Sequence, residues 1–258
     1  MNTKIKKILS KKNKIKIICL TAYSKNFSEI LDEFTDIILV GDSLGSVLYS
    51  FDSTKKVTLD MMIEHAKSVR QGIKKSLMVV DMPYNTYRNK IQALKNARKI
   101  IKYTKADAVK LEGGKKIINI IQHLRKNKIN VMGHLGILPQ SQKGKFRYKG
   151  KTSFERKNLL IDSQLLQKSG VFSIVLECIE TKLAKKITQK LKIPTIGIGS
   201  SVNCDGQVLV TDDLIGLNLT TIKFVKSFQN IRKHIKLAIK KFSLDVKKKK
   251  YPSKKYSY

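Results

Sequence analysis

Several things are scarce in this chain, and each scarcity narrows what it can be. Its 258 residues hold three cysteines, Cys19, Cys178 and Cys204, an odd number without C-x-x-C spacing. Neither a disulfide framework nor a zinc site is indicated, which fits a reducing compartment. No window approaches the roughly 20 apolar residues of a membrane span, and the basic start leads into no sustained apolar stretch. The expectation is a soluble cytoplasmic protein with no membrane partner. Two phosphate-binding signatures, G-x-G-x-x-G and G-x-x-x-x-G-K-[ST], are missing, so nucleotide binding ranks low. Gly197-Ile198-Gly199-Ser200 offers only a weak likeness to an anion-binding loop.

Acids are scarce as well. Against 53 Lys+Arg stand 19 Asp+Glu, a formal net charge of +34. Charge of that size suggests nucleic acid or an anionic surface. Yet the lysines are spread along the whole chain and accompany many Ile and Asn, as a drift of codon composition toward A and T would produce. No specific nucleic-acid partner is expected, and a basic nucleic-acid-binding protein is kept as an alternative.

What the chain does have is a rhythm. Ile37-Ile38-Leu39-Val40 is an apolar run without polar alternation, the mark of a strand buried on both faces in a parallel sheet. It ends in Gly41-Asp42-Ser43. The same alternation of a helical pattern and a short buried strand recurs, giving strands over 15–21, 37–40, 77–80, 108–111, 129–132, 172–176, 193–196 and 207–210. Helical spacing marks 24–34, 58–71, 90–103, 116–126, 156–168, 183–191 and, near the end, 224–242. Eight strands alternating with helices indicate an α/β fold, a (β/α)8 TIM barrel in one domain, with an open doubly wound sheet as runner-up. A Lys-rich lead-in over 1–14 and a C-terminal tail over 245–258 flank it, and the loop 140–151 is the one long break.

Asp42, Asp81, Glu112 and Glu177 all fall at C-terminal strand ends. Any one of them could be a helix cap. Four together, brought to one rim by a barrel, need a counter-charge, and an oxygen-rich set without paired His or Cys suits magnesium better than zinc. Such a site would take a ligand offering two oxygens, for example an α-keto acid, and stabilise an enolate. Lys110, two residues before Glu112, points to the same side of its strand. It could meet a substrate carboxylate or simply balance the acids. His134, on a Gly-His-Leu-Gly turn, could support the acids from behind or be structural.

Motifs in order along the chain resemble the ketopantoate hydroxymethyltransferase family: Leu20-Thr21-Ala22-Tyr23, Leu39 to Gly45, Asp52-Ser53-Thr54, Asp81-Met82-Pro83-Tyr84, Val109 to Gly114, Gly133 to Gly136 with Pro139-Gln140-Ser141, Leu176-Glu177-Cys178, and Asp205 to Val210. The resemblance implies a (β/α)8 barrel that uses Mg2+ and transfers a hydroxymethyl group from methylene-tetrahydrofolate to α-ketoisovalerate, giving ketopantoate for pantothenate synthesis. It implies Asp42, Asp81 and Glu112 as metal ligands, Asp42, Ser43, Asp81 and Lys110 as substrate contacts, and Glu177 as the general base. It also implies a homo-oligomer, a ring-based decamer. Another Mg2+-dependent enolate or carbon–carbon lyase barrel is the alternative of the same architecture. Two departures stand out: the family's Gly-rich stretch is here the lysine-loaded 142–152, and Ser201 replaces a family glycine.

Overall fold

The computed structural model describes residues 2–141, 147–219 and 222–258. It forms two compact units, Met1–Val210 and Thr211–Tyr258. In the first, strands β1 (Ile17–Thr21), β2 (Ile37–Val40), β3 (Leu77–Asp81), β4 (Ala108–Glu112), β5 (Val131–Gly136), β6 (Ser173–Glu177), β7 (Thr195–Ile198) and β8 (Gly206–Leu209) pair in sequential order. All pairs are parallel, and β8 pairs with β1 from Ile17↔Gly206 to Leu20↔Leu209. The sheet is therefore a closed (β/α)8 barrel and not an open one.

Helices α1 (Thr3–Ser10), α2 (Lys25–Leu31), α3 (Leu44–Tyr49), α4 (Leu59–Arg70), α5 (Lys90–Thr104), α6 (Ile118–Lys126), α7 (Ser153–Lys168) and α8 (Thr181–Lys190) belong to the same unit. Their starts follow local chemistry. Thr58, Asn89 and Thr152 accept from the backbone N–H three residues on at 3.2, 2.9 and 3.1 Å, satisfying donors that a first turn leaves free.

Strand alternation divides the core in two. One set of side chains, including Ile38, Val40, Met78, Val80, Val109 and Leu111, packs with the helices. The other, including Ile37, Leu39, Leu77, Val79, Ala108, Met132 and Val175, fills the barrel. Two residues of α1, Ile5 and Ile8, are buried with this inner set. The lead-in is thus a helix that contributes to the barrel core, its lysines directed at acids and carbonyls. Lys4 Nζ donates to the Ser76 carbonyl at 2.8 Å, and Lys12 Nζ to Asp205 at 2.8 Å.

The second unit holds α9 (Thr211–Leu214) and α10 (Ile231–Lys247). The C-terminal helix starts after its Asn230 cap rather than at 224, runs past the expected tail boundary, and buries none of its residues. Among the described residues no helix is long and apolar enough to cross a membrane. All three cysteines are free and buried. Ser201 is not among the residues of positive φ, so its position does not demand glycine. Residues 142–146 of the lysine-loaded loop lie outside the described residues.

Candidate active site

The alternation that puts Leu77 and Val79 inside the barrel puts Asp81 there too. By the same count Lys110 and Glu112 follow Ala108, His134 follows Met132, and Glu177 follows Val175. Four consecutive strands, β3 to β6, thereby aim five ionisable side chains at one end of the barrel interior. Register completes the meeting: Asp81 pairs with Lys110, Glu112 with His134, and Glu177 with Gly136. Lys110 Nζ lies 2.9 Å from Asp81 Oδ1 and 4.0 Å from Glu112 Oε1. His134 lies between two acids, Nδ1 3.4 Å from Glu112 Oε1 and Nε2 3.2 Å from Glu177 Oε2. Neither nitrogen has hydrogen-bond geometry to its acid, so these contacts are ionic.

Asp42 arrives from the turn after β2, where its backbone N–H donates to Asp81 Oδ2 at 3.1 Å. Ser43 stands beside it with Oγ 2.8 Å from the Tyr23 hydroxyl. The letters Gly41-Asp42-Ser43-Leu44-Gly45 also satisfy the G-x-S-x-G nucleophile pattern. Ser43 faces a tyrosine there and not a histidine base, so the pattern carries no hydrolase reading. Two glycines keep the turns open. A Cβ on Gly41 would stand 2.9 Å from Ser43 Oγ; one on Gly136, whose φ is +104°, would stand 2.0 Å from the Glu177 carbonyl.

The residue that sequence reasoning missed is Gln140. It is almost fully buried, and its Nε2 donates to Asp42 Oδ2 at 2.7 Å and to the Met82 carbonyl at 3.0 Å. Its backbone N–H donates to Glu112 Oε2 at 3.1 Å, and the Tyr87 hydroxyl donates to its Oε1. Its place in Pro139-Gln140-Ser141 was the available signal, but a glutamine in a loop does not announce itself as chemistry.

The charges are unevenly balanced. Burial, then the charges of Asp81 and Glu112, pushes Asp42 up to about 8. Burial drives Asp81 upward too, against the opposing pull of Lys110. Glu112 is held below its ordinary value, because His134, Lys110 and the Gln140 N–H outweigh its burial. Burial and Lys110 work to discharge His134, but Glu112 and Glu177 prevail and raise it to about 9. Lys110 is raised despite burial by Asp81, Glu112 and Asp42. The resident cations therefore fall short, and Asp42 and Asp81 are driven toward their neutral forms.

That deficit fits a further cation. Among the described residues no three His, Cys, Asp or Glu side chains form a ready metal shell. Zinc would ask for one, whereas Mg2+ is held by one or two carboxylates with water and substrate filling the rest. Asp42 and Asp81, hard oxygen donors in contact through a backbone N–H, meet that lesser demand. Asp81 Oδ1 further lacks a sound hydrogen bond although Lys110 stands near it.

The chain is similar to known proteins over nearly its whole length. The model of the family described as ketopantoate hydroxymethyltransferase matches residues 2–254. A 3-methyl-2-oxobutanoate hydroxymethyltransferase of Pelagibacter ubique (strain HTCC1062) is 67% identical over 258 residues, covering 100% of both chains. One of Anaplasma marginale (strain St. Maries) is 45% identical over 253 residues, covering 97% of this chain and 91% of its own. Among solved structures, phosphonopyruvate hydrolase superposes with a TM-score of 0.65 over 98% of this chain and 90% of its own. At 9% identity that likeness is one of fold alone.

Proposed function

Because the chain belongs to the ketopantoate hydroxymethyltransferase family, we propose that the end of its barrel described above is where that chemistry is done, and assign its residues roles. The activity follows from membership. The chain is a one-carbon transferase that moves a hydroxymethyl group from methylene-tetrahydrofolate to α-ketoisovalerate in pantothenate biosynthesis, with Mg2+ as cofactor.

In this reading Asp42 and Asp81 hold the cation, with Glu112 behind them in reach of Lys110 and His134. Mg2+, when bound, supplies Lewis-acid polarisation of the keto oxygen, which makes the neighbouring C3–H acidic enough for a carboxylate. Glu177 takes that proton. It is less buried than the other acids, and His134 fixes one of its oxygens. Lys110 brings a buried ammonium to the keto acid's carboxylate, and Ser43, set by Tyr23, offers a hydroxyl beside it. C3 then bonds to the one-carbon unit as its two C–N bonds to the folate break; water supplies the hydroxyl oxygen, its proton and the one taken from C3 return to the folate nitrogens, and tetrahydrofolate leaves.

The observation that carries the reading is the inward parity of Asp81, Lys110, Glu112, His134 and Glu177 on four adjacent strands. Ketopantoate formation measured with and without Mg2+ tests it. Turnover should vanish after chelation and return with the ion. Full turnover in a chelator would sink it.

Self-assembly is also proposed, as a ring-based decamer. Its support is α10, where Ile235, Ile239, Phe242 and Val246 share one face at helical spacing and remain unburied. A monomer by sedimentation would count against it. Three free, buried cysteines suit the reducing cytoplasm, where we place the chain. The dispersed lysines are read as background rather than a nucleic-acid site. Tight binding to RNA at physiological salt with a steep salt slope would contradict this.

A further inference from the structure

One polar side chain in the site belongs to no ionisable group, yet touches more of the machinery than any acid does. Gln140 is 1% exposed. It uses three separate groups: Nε2 on Asp42 Oδ2 and the Met82 carbonyl, the backbone N–H on Glu112 Oε2, and Oε1 on the Tyr87 hydroxyl. We propose that Gln140 is a positioning residue, which fixes Asp42 against Glu112 for ligand binding and is itself held in one amide orientation by Tyr87.

An amide can face either way, so its neighbours must decide. Here Nε2 meets two acceptors, a carboxylate and a carbonyl, at 2.7 and 3.0 Å. Flipped, the amide would set its oxygen against both. Tyr87 closes the choice from the other side. Its oxygen takes the Glu112 backbone N–H at 3.4 Å, leaving its own proton for Oε1. The chain of contacts thus runs from the end of β4 through Tyr87 and Gln140 to the turn after β2, spanning both carboxylates. Groups that orient a ligating side chain from behind set metal affinity nearly as strongly as the ligands themselves.

The inference rests on reading Asp42 as a ligand of Mg2+, and the test separates the two claims. Gln140→Met keeps length and volume and removes all three amide contacts, while its backbone N–H still serves Glu112. Mg2+ binding is measured by calorimetry on the full chain without folate, alongside the KM for α-ketoisovalerate and the melting temperature. Gln140→Met should weaken Mg2+ about 10- to 100-fold and raise that KM, alongside a lowered melting temperature from the buried partners it leaves unpaired. Tyr87→Phe, which leaves the amide's oxygen without its donor, should weaken Mg2+ about fivefold. Unchanged Mg2+ affinity in both variants, where Asp42→Asn has lost it, would overturn the proposal. So would a lowered melting temperature as the sole change, which would make Gln140 a brace. Parent-like Mg2+ binding by Asp42→Asn would overturn the ligand reading and this inference together.

Discussion

The two ends of the barrel use the same residue types to opposite purposes. At the N-terminal end each acid is matched locally. Asp36 pairs with Lys11 and accepts the Ile18 N–H at 3.1 Å. Asp107 accepts from Met78 N at 3.0 Å and Asn2 Nδ2 at 2.6 Å, with Lys4 3.8 Å away. Asp205 takes Lys12 at 2.8 Å and the N–H groups of Asn13 and Thr195. Each carboxylate there ties a strand or α1 in place. At the C-terminal end Asp42, Asp81, Glu112 and Glu177 crowd around Lys110 and His134, and Asp42 and Asp81 are left with raised pKa. One end is satisfied and holds the fold; the other is under-compensated, and is therefore where a cation and an anionic substrate gain most.

The comparison can be broken most sharply at Glu177. Glu177→Gln should lose about 100- to 10,000-fold in turnover while still binding α-ketoisovalerate, since a general base contributes that much. Steady-state kinetics with a separate binding titration would check it. Asp205→Ala should do the reverse. It leaves the half-buried Lys12 ammonium with the Thr188 carbonyl and takes the acceptor from the Asn13 and Thr195 N–H groups, costing about 2–4 kcal/mol of stability in urea unfolding, and activity per folded molecule should hold. Ile5→Ala, emptying a fully buried site of the inner core, should cost about 2–4 kcal/mol by the same measurement. If Ile5→Ala proves neutral, α1 is not part of the barrel's core.

The smallest effect is a pH dependence at the satisfied end. Burial works to raise Asp32, but the N–H groups of Ser76, Lys74 and Lys75, all within 3.1 Å, lower it below its ordinary value. A lowered folded pKa means a contribution fully present above about pH 4 and lost as pH falls through the folded value. Asp32→Asn should therefore flatten the acid side of the stability profile, measured as the urea midpoint against pH. Equal slopes in parent and variant would remove Asp32 from the list of satisfied acids.

Much of this contrast was legible in the residues, and what was not has physical causes. β2 fell where expected, because four successive β-favouring apolar residues leave no other reading. β5 was placed early, at 129–132. Its strand instead runs Val131–Gly136, with Gly133 and Gly136 inside it, and glycines read from sequence as terminators. The helix in the lead-in was hidden by lysines, of which Lys4 in it and Lys11 and Lys12 just after it reach the acids below the barrel, while Ile5 and Ile8 carried its inward face. α3, six residues long, is too short to show periodicity. The acids of the site were visible at strand ends because the barrel collects them. Gln140 was not, because its role lies in which partners the fold brings to an amide, and no spacing in the chain encodes that.

The central claim is that this end of the barrel takes the C3 proton with Glu177. Proton exchange at C3 of α-ketoisovalerate, followed by NMR in D2O with Mg2+ and no folate, reads that step alone. The parent protein should wash deuterium into C3 and Glu177→Gln should not. Exchange by the variant at the parent rate would contradict the account.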